Sequence, residues 1–130
     1  MGVTDAMPGA RHTEIGGLTV DEVPAGVGRV KRVIYPAGWR WTDQMSAITG
    51  TATCRHAHVG FIAQGSMVVR FEDGCEITYT ATSAVIVEPG HDGWVVGDED
   101  VVLIQVDAGP TPSSDWASAT SITRTRPEAH

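Results

Sequence analysis

Cys54, His56 and His58 stand at i, i+2 and i+4 within Thr51-Ala-Thr-Cys-Arg-His-Ala-His-Val-Gly60. On an extended chain that spacing turns all three side chains to one face. A soft thiolate and two imidazoles on one face could share a Zn, Fe, Ni, Mn or Cu ion, with a further ligand supplied from elsewhere in the fold. His91, in Glu88-Pro-Gly-His-Asp-Gly-Trp94, follows a Pro-Gly turn after an apolar run, where a side chain can be aimed into the mouth of a barrel. The same residues could instead line a polar patch of a pocket or an interface and bind no ion. Trp39 and Trp41 alternate and so share a face, as core or as pocket wall, with Arg40 turned away from them toward a surface role. Gln64 and Tyr79 could offer polar contacts to a ligand, though alternation does not fix their face, and Trp94 could cap the pocket or simply pack in the core. Ser113 and Ser114 have no nucleophile-elbow context, so a serine hydrolase has no support.

These residues need short strands to position them. The 15 glycines and 7 prolines punctuate a series of β-branched runs instead of pooling in one linker. The runs are Arg29 to Tyr35, Phe61 to Gln64, Met67 to Phe71, Cys75 to Thr80, Ala84 to Val87, Trp94 to Val96 and Val101 to Val106. Asp73-Gly74 separates two of them and supplies the positive φ of a tight hairpin. In the second of those two, Cys75, Ile77 and Tyr79 alternate with Glu76, Thr78 and Thr80, as in an antiparallel sheet with one face on the core. So many strands in about 80 residues leave exposed edges unless the sheet closes or doubles. No segment carries a sustained 3.6-residue period, and Asp98-Glu99-Asp100 reads as a loop tip. Residues 1 to 16 and the Gly109 to His130 tail are poor in large apolar groups and read as extended or mobile, with Trp116 and Ile122 as docking points in the tail.

At 130 residues the chain makes one domain, and 42% hydrophobic residues are enough for a real core. The net charge of -7, with one lysine and eight scattered arginines, leaves no basic stripe for nucleic acid or an anionic membrane. The N-terminus has neither a basic nor an apolar leader region, and no apolar run nears the roughly 18 residues of a span, so the expectation is a cytoplasmic protein. Two cysteines, Cys54 and Cys75, permit at most one bridge and fit two thiols in a reducing compartment.

The order strand, His-x-His, strand, Gly65, hairpin, apolar strand, Pro-Gly turn, strand resembles the cupin superfamily over residues 28 to 107. More narrowly, Pro36-Ala-Gly-Trp-Arg-Trp41, Cys54 with His58-Val-Gly-Phe-Ile-Ala-Gln-Gly65, Glu72-Asp-Gly74 and Pro89-Gly-His-Asp-Gly-Trp-Val-Val-Gly-Asp-Glu99 resemble small single-domain bacterial cupins, a subgroup without an established common activity. The resemblance implies an all-β, antiparallel cupin-type jelly-roll β-barrel over 28–107, an N-terminal extension over 1–27 and a C-terminal tail over 108–130. It also implies a small organic ligand in the barrel. The apolar Trp116 and Ile122 in the polar tail lead us to expect a homodimer in which an end segment packs on the partner subunit, and the resemblance, whose members often pair through their sheets, points the same way. Two departures stand out. The first cupin motif, G-x5-H-x-H-x3 or 4-E-x6-G, counted back from Gly65, places its glutamate on His58. The second, P-x-G-x2-H, places its histidine on Gly93, two residues after His91. The three-His-one-Glu set is therefore not preserved, and a rearranged site of His56, His58 and His91 with Cys54 takes its place. The functional expectation is a barrel that binds a small organic ligand, with or without a divalent metal held by these histidines. The alternative is a metal-dependent oxygenase, isomerase, cyclase or lyase acting on a small metabolite.

Overall fold

A computed structural model describes residues 2–108. Every strand pairing in it is antiparallel. The chain opens with a hairpin of Arg11–Ile15 (β1) and Leu18–Ala25 (β2), turning on Gly16 and Gly17 at φ of 56° and 81°, the positive values a two-residue hairpin requires. Gly28–Tyr35 (β3) follows, then two four-residue helical turns, Trp41–Gln44 (α1) and Ser46–Thr49 (α2). His58–Gln64 (β4), Ser66–Phe71 (β5), Glu76–Thr80 (β6), Ala84–Val87 (β7), His91–Val96 (β8) and Val101–Ala108 (β9) complete the fold.

Two sheets result, ordered β1-β2-β3-β9-β4-β7 and β6-β5-β8. The seven runs named above all form strands, and Asp73-Gly74 turns the β5–β6 hairpin: Gly74 has φ 91°, and Cys75 N–H donates to Asp73 Oδ1 at 2.9 Å. The inward positions of both sheets meet in one core. Val33, Tyr35, Ile62, Val85, Val87 and Leu103 come from the larger sheet and Met67, Val69 and Val95 from the smaller, with Trp39 and Trp41 packed among them.

Two expectations change. Residues 11–16 belong to an ordered hairpin, and residues 11–25 continue the large sheet outward from β3. Buried Asp21 on β2 is bonded to Arg32 on β3 (Nη2 to Oδ2, 2.8 Å), and Arg32 Nη1 also donates to the carbonyls of Val3 and Asp5. A guanidinium so placed needs several acceptors, and the N-terminal segment supplies them. The second change is the pair of helical turns, each too short to leave a 3.6-residue period. No disulfide joins Cys54 to Cys75. Ser113, Ser114, Trp116 and Ile122 lie outside the described residues. Among the described residues no helix is long and apolar enough to cross a membrane.

Candidate metal centre

Three of the four proposed donors converge. Cys54, His58 and His91 each offer one ligand atom, all within 4.8 Å of one another. The Cys54 Sγ to His58 Nε2 distance is 3.6 Å, and the two imidazole centroids lie 5.1 Å apart. A tetrahedral ion with bonds of about 2.3 Å to sulfur and about 2.05 Å to nitrogen holds those two atoms about 3.6 Å apart. Cys54 and His91 are also joined along the backbone. Cys54 N–H donates to the His91 carbonyl and Gly90 N–H to the Cys54 carbonyl, both at 2.7 Å. This bridge ties the segment before β4 to the Pro89-Gly90 turn before β8.

His56 is not part of the group. Its side chain is exposed while Ala57 is buried. Between the isolated bridge at Cys54 and the start of β4 at His58, residues 55–57 follow no strand ladder. Strict alternation has nothing to enforce it there, so His56 departs from the face that Cys54 and His58 share. Its backbone N–H serves the site instead, by hydrogen-bonding to the Cys54 sulfur.

Electrostatics favour neutral imidazoles. Burial pushes His91 down to about 3, with His58 adding to the shift, and burial likewise lowers His58 against the opposing bond to Gln105. Burial also pushes the Cys54 thiol up, while the His56 N–H, the Arg55 charge and the Trp41 indole N–H pull it down. His91 Nδ1–H donates to the Glu88 carbonyl at 2.7 Å, which leaves Nε2 as its lone-pair atom. On the other histidine, His58 Nδ1 lies 2.9 Å from Gln105 Oε1. One thiol and two neutral, oriented imidazoles are a donor set suited to a borderline or soft divalent ion.

Two members of the group, His58 and His91, border a cavity of about 40 Å³ inside the barrel, room for two or three waters or a fragment of a few heavy atoms, while Cys54 stands behind them. Its wall includes Tyr35, Trp39, Trp41 and Tyr79 among aliphatic side chains, with His58 and His91 as its nitrogen donors. Of the expected pocket residues, Trp39, Trp41 and Tyr79 therefore line the cavity, whereas Gln64 and Trp94 do not. Gln64 donates from Nε2 to the Asp100 carbonyl (3.1 Å), and Trp94 stacks beneath Arg40, whose guanidinium carbon is 4.4 Å from the ring centroid. Arg40 also pairs with Asp92 at 3.0 Å, holding α1 against β8. Sequence reasoning passed over Gln105, Asp107 and Lys31, which form a polar chain behind His58, Gln105 and Asp107 buried and Lys31 half-buried. The available signal was polar side chains at alternate positions of an apolar strand, in Leu103-Ile-Gln-Val-Asp107.

The architecture matches solved cupin-domain structures. Over 76% of its length the chain superposes on 66% of the cupin domain of Cnp3 from Schizosaccharomyces pombe, at 16% identity and a TM-score of 0.50. Ectoine synthase from P. lautus gives 0.58 at 9% identity, covering 80% of this chain and 72% of that one. The capsular polysaccharide assembling protein CapF from Staphylococcus aureus gives 0.55 at 17%, with this chain spanning only 33% of CapF. No family model and no curated protein matches the sequence. The molecule is thus an all-β, antiparallel jelly roll of the cupin fold. Within that fold it carries a Cys/His/His group that could hold a metal.

Proposed function

We propose that this protein is a metal-containing binding barrel, in which Cys54, His58 and His91 hold one transition-metal ion that anchors a small organic ligand in the apolar cavity. The observation that carries the reading is the convergence of three buried or half-buried donors, two of which, His58 and His91, stand on a cavity wall that is otherwise aromatic and aliphatic. Bound there, a divalent ion supplies Lewis acidity to a donor atom of the ligand and displaces the Cys54 thiol proton. The protein supplies the rest. Tyr35, Trp39 and Trp41 exclude water and offer flat apolar surface, and the cavity volume limits what enters to a few heavy atoms. A binding role is favoured over the enzyme alternative because, among the described residues, the cavity wall beyond the two donor histidines and the two tyrosines is apolar.

Elemental analysis of protein purified without an affinity tag tests the reading. The expected result is about one zinc, iron, nickel, manganese or copper per chain, lost in Cys54→Ser and in His91→Ala. Substoichiometric metal in the parent protein, unchanged by those substitutions, overturns it.

We further propose that two copies pair through the outer face of the large sheet. Phe61, Ile86 and Val106, on adjacent strands β4, β7 and β9, are 45%, 42% and 45% exposed. Val59 opposite Ile86 and Ile104 opposite Phe61 make their stripe continuous, and a second copy presents the same stripe.

A further inference from the structure

Lys31, Asp107, Gln105 and His58 form a chain across β3, β9 and β4 that ends on a donor of the metal centre. Chemistry fixes its direction at each link. The Lys31 ammonium can only donate, and its Nζ lies 3.0 Å from Asp107 Oδ2. The carboxylate paired with it accepts at both oxygens, so the group of Gln105 facing Asp107 Oδ1 must be the amide nitrogen, as it is at 3.2 Å. The amide oxygen of Gln105 is thereby turned to His58 Nδ1 at 2.9 Å, where it can only accept. In a neutral ring the proton then sits on Nδ1 and the lone pair on Nε2, the atom 3.6 Å from Cys54 Sγ.

We infer that Gln105, Asp107 and Lys31 are positioning residues that lock His58 in the Nδ1–H tautomer and so present Nε2 as a ligand before any ion arrives. The inference rests on the metal reading for its purpose, though not for its geometry. Gln105 and Asp107 occupy inward positions of β9, in line with Leu103, and are buried. Polar groups there are tolerated only because each is bonded to the next. With Asp107 replaced by asparagine, residue 107 can donate as well as accept. The Gln105 amide can then turn over and offer Nε2–H to the ring, and the opposite tautomer directs a proton at the thiol.

The test uses full-length, metal-free protein with 15N-labelled histidine. The ring-nitrogen shifts of His58 should show a proton on Nδ1 and a bare Nε2. In Asp107→Asn, and in Gln105→Met should the first variant not fold, the two tautomers should mix. Affinity for Co²⁺, read from its thiolate charge-transfer band, should then fall about 10- to 100-fold. A parent His58 protonated on Nε2, or a folded variant with unchanged tautomer and unchanged Co²⁺ affinity, overturns the inference. A parent protein that shows the Nδ1–H tautomer but binds no Co²⁺ upholds the relay and removes the metal reading alone.

Discussion

Burial puts the site histidines in the form a metal needs, and the same burial should make the metal-free protein acid-sensitive. His91 titrates near 3 in the folded chain against an ordinary 6.5. Above pH 6.5 both folded and unfolded chains carry it neutral, and stability is flat. Below 6.5 the unfolded chain takes up a proton that the folded chain refuses, so stability falls as the pH drops toward 3, by about 1.4 kcal/mol per pH unit for each such histidine. In the presence of a chelator, the His91→Gln protein should show a shallower decline of melting midpoint between pH 6.5 and pH 4 than the parent; equal slopes would show that His91 is not held neutral. Cys54, His58 and His91 were legible because parity and a Pro-Gly turn are local signals. The error at His56 came from extending that parity through residues that pair with nothing. Gln105 and Asp107 were illegible for another reason: a polar residue near the end of an apolar strand looks like fraying until its partners on β3 and β4 are known.

At the scale of elements, two glycines do different work and should fail differently. Gly74 sits at φ 91° in the β5–β6 turn with open space where a Cβ would stand. Gly74→Val is therefore a backbone effect alone, of about 1 kcal/mol or somewhat more. Gly60 lies in β4 between β7 and β9, and a Cβ there would overlap the Ile104 carbonyl oxygen. Gly60→Ala must push β9 away, at about 1 to 3 kcal/mol. Because Gly60 pairs with Gln105, it should also disturb His58. Denaturant midpoints rank the two, and only Gly60→Ala should alter the His58 ring resonances. The seven strands found from sequence share strong β-branched content. The β1–β2 hairpin was hidden by charged and polar residues and by Pro24, which argues against an interior strand, although Gly16-Gly17 between two alternating runs was an available turn signal.

For the whole molecule, the paired-copy proposal makes a simple demand: Phe61→Glu places a charge in the middle of the apolar stripe and should convert a dimer into a monomer in sedimentation, leaving the barrel folded. A parent chain that sediments as a monomer at micromolar concentration, or a variant that still pairs, would remove this interface. The stitched contact between Cys54 and His91 has a consequence in time as well as in space. Both side chains are almost wholly buried, at 4% and 5% exposure, and their backbones hold each other. Parting of the segment before β4 from the Pro89-Gly90 turn would separate two of the three donors, so release of an ion seated there should be coupled to that opening event. Under native conditions, loss of metal to excess chelator should then level off as chelator is raised and speed up with mild denaturant. If the proposed centre takes up its ion while the chain folds and releases it this slowly, the ion recovered on purification would report on the cell's supply as much as on the donors' preference.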